Sequence, residues 1–145
     1  MRSPLLFLGL VLSLGLAGCS TPPEARLERP ALRVVSLDAG DGKLALRYIN
    51  PNNVPLVVNN STHVLSLDGQ HIGRIKEKEP IGMPPIGEIV HTVALPPEIA
   101  KGARDYLAAH PGRVRATVES KLEVLLYDDE TVTLKSSGGG TVGEP

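Results

Sequence analysis

Between Ala31 and Lys135 apolar residues recur at every second position in a series of short runs, with turn residues between the runs. That alternation fits a pleated strand with one face buried. It does not fit a helix, whose apolar stripe repeats every 3.6 residues. Leu32, Val34 and Leu37 mark a first strand. Asp41-Gly42 turns the chain into a second, where Leu44, Leu46 and Tyr48 share one face and Lys43, Ala45 and Arg47 the other. Asn50-Pro51-Asn52-Asn53 breaks it. Leu56 and Val58 predict a short strand after Pro55. A separate one follows with Val64 or Leu65, together with Leu67, ending at Asp68-Gly69, and Ile72 and Ile75 continue beyond that turn. Ile89 to Leu95 is rich in β-branched residues and reads as a strand. The last part reads as a long hairpin, with Val114, Ala116, Val118, Leu122, Val124 and Leu126 going out and Val132 and Leu134 returning after Asp128-Asp129-Glu130.

One segment departs from period two. From Pro96 to His110, Ile99, Ala103, Tyr106 and Leu107 fall on one helical face. Pro97 suits a first helical turn, and Glu98 sits favourably at the positive end of the dipole. Pro111-Gly112 stops the helix. About seven strands and one short helix in roughly 105 residues predict a mainly β fold, an antiparallel β-sandwich of immunoglobulin or fibronectin-III-like type. The chain has one cysteine and no tryptophan, so the Cys–Trp–Cys core of antibody domains is missing. Aromatic residues make up only 3% of the chain, so the core must be built from Leu, Val and Ile.

The N-terminal segment has another character. Arg2 precedes a run from Leu5 to Ala17 that is apolar apart from Ser13 and two glycines. As a helix the run is about 20 Å long, too short for a hydrocarbon core of roughly 30 Å, so it reads as the apolar region of a signal peptide. It closes on Leu16-Ala17-Gly18-Cys19, which resembles the lipobox of bacterial lipoproteins. The resemblance implies cleavage between Gly18 and Cys19, a diacylglycerol thioether on Cys19 and N-acylation of the new terminus. Several acyl chains make attachment to a membrane effectively permanent, because each buried CH₂ contributes about 0.8 kcal/mol. No thiol then remains for disulfide, metal or redox chemistry. Under the aspartate retention rule of such lipoproteins, Ser20 implies sorting to the outer membrane, facing the periplasm.

This gives an expected organisation of signal peptide over residues 1–18, lipidated cysteine and tether over 19–30, folded domain over 31–135 and flexible tail over 136–145. In the tether, Thr21-Pro22-Pro23 and Pro30 favour extended backbone that reaches about 35 Å. The tail expectation rests on Ser136-Ser137-Gly138-Gly139-Gly140. Removing residues 1–18 takes Arg2 with it and leaves 14 basic residues against 16 acidic ones, a net charge of −2. That balance predicts no basic face for nucleic acid, and the sequence shows no polybasic cluster to add membrane affinity.

The middle of the chain resembles the LEA type 2 family, also called LEA14-like or WHy domains. The resemblance is carried by Leu44-Ala45-Leu46-Arg47-Tyr48-Ile49-Asn50-Pro51-Asn52, then Val54-Pro55-Leu56, Leu65-Ser66-Leu67-Asp68-Gly69 with Ile72-Gly73, and the loop Ile81 to Gly87 before the strand Ile89 to Leu95. It spans most of Leu32 to Leu134. Within the signature, Asn50 and Asn52 can bond nearby backbone in a turn, Pro51 removes a ladder donor, and Pro55 holds Val54 extended. These four residues, Asn50, Pro51, Asn52 and Pro55, are therefore expected to be structural.

No catalytic constellation stands out. His63, His71, His91 and His110 lack metal-ligand spacing. The aspartates fall mostly at turns, and Asp128-Asp129-Glu130 is too short for a calcium loop. Ser36, Ser61, Ser66 and Ser120 lack the context of a nucleophile elbow. The sequons in Asn59-Asn60-Ser61-Thr62 read as turn residues, and Lys76 to Glu79 as a solvated loop. No enzyme activity, metal or cofactor is expected, nor a small-molecule substrate. The family resemblance implies a module linked to desiccation or envelope stress that acts by binding protein clients or membranes. The alternative is an accessory docking subunit of an envelope secretion, transport or cell-wall assembly with a protein partner.

Overall fold

The computed structural model describes residues 26–126 and 129–143. Eight strands and one helix follow in the order β1 Ala31–Asp38, β2 Lys43–Asn50, β3 Leu56–Leu67, β4 Gln70–Glu77, β5 Ile81–Met83, β6 Gly87–Ala94, α1 Pro97–Ala109, β7 Val114–Leu125 and β8 Thr131–Val142. They form two antiparallel sheets. One has the order β1-β2-β6, and the other β4-β3-β7-β8 with β5 paired to the start of β3. The fold is thus the antiparallel β-sandwich predicted, with its helix at the expected place.

Leu44, Leu46 and Tyr48 from the small sheet meet Leu65, Leu67, Val118 and Leu122 from the large one, all fully buried. Each such side chain contributes about 1.5–3 kcal/mol by leaving water. Helix α1 lays Ile99, Ala100 and Ala103 inward. It fits against β4 because Gly73 has no Cβ, which would fall 2.6 Å from Ile99.

Three sequence expectations are corrected. The runs before and after Asn59 are one twelve-residue strand, β3, rather than two. The register shifts between Val58 and Asn60, which marks a bulge. An extra residue resets the alternation, so Leu56 and Val58 face the core on one side of Asn59 and Ser61, His63, Leu65 and Leu67 on the other. The loop expected from Ile81 to Gly87 contains a short strand, β5, whose Ile81 and Met83 are buried.

The third correction concerns the ends. Residues 136–142 are the second half of β8, paired throughout with β7, and not a flexible tail. A Cβ at Gly138 would strike the Leu32 carbonyl, and one at Gly140 the Val34 carbonyl. The glycines are there because β1 lies backbone to backbone on β8, which closes one side of the sandwich. At the other end, the stretch before β1 is docked rather than free. Leu27 packs on the core, Pro30 is buried, and its carbonyl accepts a bond from the Ser136 hydroxyl. The expected tether therefore stops short of Pro30, and the folded unit runs from Leu27 to Val142.

Candidate functional site

Cys19 and the Gly18–Cys19 cleavage point lie outside the described residues. The Asn-Pro-Asn signature lies at one pole of the sandwich. Asn50 is buried, and its Nδ2 donates to the carbonyls of Val54 and Pro84, both at 2.9 Å. Its Oδ1 accepts from the backbone N–H and the Nδ2 of Asn52, again at 2.9 Å. Asn52 in turn grips the chain before β1, accepting from the Glu28 N–H at 2.8 Å and donating to the Glu28 carbonyl at 2.9 Å. Pro51 and Pro55 are exposed on either side. Val57, Ile86 and Leu125 stay exposed at the same pole, Ile86 by 69%. Beside them is a groove of about 310 Å³ lined by Leu27, Pro55, Val57, Leu125 and Leu126 among others.

The histidines do not converge on a metal, and no group of three or more His, Cys, Asp or Glu with metal-holding geometry exists among the described residues. Two histidines nonetheless meet between the sheets. His63 of β3 is wholly buried, with Nε2 3.0 Å from Ser61 Oγ and Nδ1 2.8 Å from Ser120 Oγ. His91 of β6 pairs with Glu77 of β4 at 2.9 Å, which ties the two sheets together on the side opposite β1 and β8. Glu77 is also 3.7 Å from His63. Tyr48 Oη is buried nearby, close to Ser120 but with no hydrogen bond of good geometry among the described residues. Burial pushes the Tyr48 phenol up to about 12, the Ser120 hydroxyl offsets part of this, and the Glu77 carboxylate adds to it. A serine beside a histidine is the start of a nucleophilic pair. Here Ser61, His63 and Ser120 are at most 4% exposed, so the contact knits β3 to β7 and does not face a substrate.

Burial, with a smaller contribution from the charge on His91, pushes His63 down from 6.5 to about 4. The unfolded chain takes up this proton below about 6.5 and the folded chain only below about 4. Stability therefore falls as pH drops through that window and levels off beneath it. Between pH 7 and pH 5, before most carboxylates titrate, urea unfolding should lose about 2 kcal/mol from this group. A His63→Gln chain, less stable at pH 7, should show a much shallower pH slope over the same range.

A concavity of about 620 Å³ lies on the outer face of the five-stranded sheet. Cross-strand register sets Lys76, Thr62, Lys121 and Lys135 in one row over β4, β3, β7 and β8. The next row is Arg74, Val64, Glu119 and Ser137. Arg29, carried over the β8 edge by the docked stretch before β1, completes the lining. At about 4.8 Å per strand, the row from Lys76 to Lys135 spans about 14 Å.

Among the described residues, five cations thus surround a trough with Glu119 as its one acid. Among the described residues none of the five makes a salt bridge; the lysines that do are Lys43 and Lys101, elsewhere on the surface. Glu123, the next acid along β7, is engaged by Asn60 Nδ2 at 3.1 Å. Lys121 and Lys135 stand directly opposite each other, an arrangement that destabilises a sheet. The expectation of no basic face and no polybasic cluster is therefore corrected. The cations come from positions 29, 74, 76, 121 and 135, and only the strand register brings them together.

Among solved structures, the fold is similar to the solution structure of AT1g01470 from Arabidopsis thaliana, with TM-score 0.53 and 15% identity, covering 83% of this chain and 83% of that one. It is also similar to the solution structure of a proposed late embryogenesis abundant (LEA) protein, At2g46140.1, with TM-score 0.52 and 16% identity, covering 80% of this chain and 71% of that one. At such identity the likeness is one of fold, and the fold is LEA-like. No protein-family model matches the chain, and no curated protein matches it in sequence.

Proposed function

We propose that the chain is a lipid-anchored envelope protein whose LEA-like sandwich is a non-catalytic binding module, protective under desiccation or related envelope stress. The lipobox resemblance at Leu16 to Cys19 and the LEA-like fold both support this reading. The observation that carries it is the pole from which the N-terminal segment departs. Asn52 fixes Glu28 there, and the same pole exposes Val57, Ile86 and Leu125. A chain held by acyl groups at Cys19 would turn this apolar end toward the bilayer, where such side chains find a partner. The outer face of the large sheet then stays open to other molecules.

Mass spectrometry of the protein extracted from membranes tests the anchor. The expected mature chain starts at Cys19 with acyl groups attached, and a Cys19→Ala chain should move from the membrane to the soluble fraction. An unacylated mature terminus would remove the anchor from the proposal. Survival of a deletion strain after drying tests the protective role, with lowered survival expected. Crosslinking that returns one stoichiometric partner would favour the docking subunit instead.

A further inference from the structure

We propose that the basic trough on the five-stranded sheet is a binding site for a linear polyanion, a chain bearing a phosphate group on each repeat unit. The inference does not depend on lipid anchoring, since every residue it uses belongs to the folded unit. Three observations carry it. The first is charge: Arg29, Arg74, Lys76, Lys121 and Lys135 face one concavity with Glu119 as the only carboxylate among the described residues, in a chain whose overall formal charge is −1. The second is cost. Lys121 opposite Lys135 is a like-charge cross-strand pair between β7 and the edge strand β8, and an opposite pair there would hold β7 to β8 better. An anion between them relieves the repulsion.

The third observation is shape. The cations extend about 14 Å across the sheet and a further residue pair along it, so one phosphate cannot reach them all. A chain of phosphates can. Lysines lie one and two strands apart, about 5 and 10 Å, and offer point charges, while Arg29 and Arg74 at the rim add planar forks. Thr62 and Ser137 supply neutral donors between them. Among the described residues no aromatic side chain lines the trough, so these supply no stacking platform of the kind single-stranded nucleic acids use.

The test uses the full 145-residue chain carrying Cys19→Ser in non-ionic detergent, titrated with short linear polyphosphate. Binding is expected, with log K falling linearly in log salt. Lys121→Glu with Lys135→Glu should lower the affinity at least tenfold and reduce the salt slope by about one unit per lost contact. Lys135→Glu alone creates a Lys–Glu cross-strand pair, so it should weaken binding while its Tm is no lower than that of the parent chain. That separates a lost site from a lost fold. Arg104→Glu, an equal charge change on the exposed face of α1, should leave the affinity unchanged.

Four results would overturn the proposal. One is equal weakening by Arg104→Glu, which would mean only general charge attraction. Another is monophosphate binding as tightly as the polymer. A third is polyglutamate binding as tightly as polyphosphate. The last is binding to phosphatidylglycerol vesicles without binding to the soluble chain, which would make the face a bilayer contact. None of these outcomes bears on acylation of Cys19, which is read from the mature mass.

Discussion

Replacing Gly138 by alanine should cost about 3 kcal/mol or more, and replacing it by valine should abolish the folded state near physiological temperature. The added Cβ would overlap the Leu32 carbonyl of β1, and the same change at Gly140 would meet the Val34 carbonyl. Overpacking costs about 1–3 kcal/mol where side chains can yield. Here the obstacles are backbone atoms of a strand whose own register is fixed by pairing with β2. The only relief is to lift β1 from β8, which would also separate Pro30 from Ser136 and expose Leu32 and Val34. Gly82 is the control. It lies in a strand with open space around its missing Cβ. Gly82→Ala should therefore stabilise the protein by about 0.5–1 kcal/mol, as alanine replaces a residue that loses more backbone entropy on folding. Urea denaturation of Gly138→Ala, Gly140→Ala and Gly82→Ala measures both signs. A Gly138→Ala chain as stable as the parent would show that β1 does not lie on β8 as described.

The same glycines show where sequence reasoning loses its hold. Ser136 to Gly140 has the composition of a flexible linker, and composition carries no information about a strand that lies on top of it. Alternation served well where a strand keeps one parity, as in β2, with Leu44, Leu46 and Tyr48 inward throughout. It failed at Asn59, because one extra residue moves the inward set from even to odd positions and mimics the end of a strand. His63 therefore could not be placed inside from its neighbours. The trough was hidden for a related reason. Its cations are scattered from Arg29 to Lys135 among nearby acids, and charge counted along the chain averages them away. The local part of the Asn-Pro-Asn reading is visible in the geometry, since Asn50 bonds Asn52 and Val54. Its long-range part is not contained in local spacing. Nothing in residues 50 to 55 indicates that Pro84 and Glu28 will be the other partners.

Asn50→Asp should cost about 4 kcal/mol at pH 7, more than most single changes to a side chain of this size. The amide is completely used, with two donors to Val54 and Pro84 and two bonds accepted from Asn52. Aspartate keeps the shape and the acceptors but turns the two donors into an oxygen facing two carbonyls. An ionised carboxylate there is buried, unpaired and repelled by both. Losing a buried hydrogen-bond partner costs about 1–3 kcal/mol for each group left unsatisfied, and more where a charge is involved. The folded chain should hold this carboxyl protonated, with its pKa raised well above the unfolded value of about 3.9. For such a group the stability is present below the unfolded pKa and is lost as pH rises through the raised one. The variant also carries His63, so the two effects offset and its stability should fall much less than the parent's on acidification from pH 7 to pH 5. In a His63→Gln background the rise on acidification should appear alone in urea titrations and would identify the buried carboxyl directly. Asn53→Asp, at an exposed position in the same turn, should change stability by no more than about 0.5 kcal/mol and leave the slope unaltered. If Asn50→Asp behaved like Asn53→Asp, the Asn50 amide would not be holding this pole together, nor orienting Asn52 against Glu28.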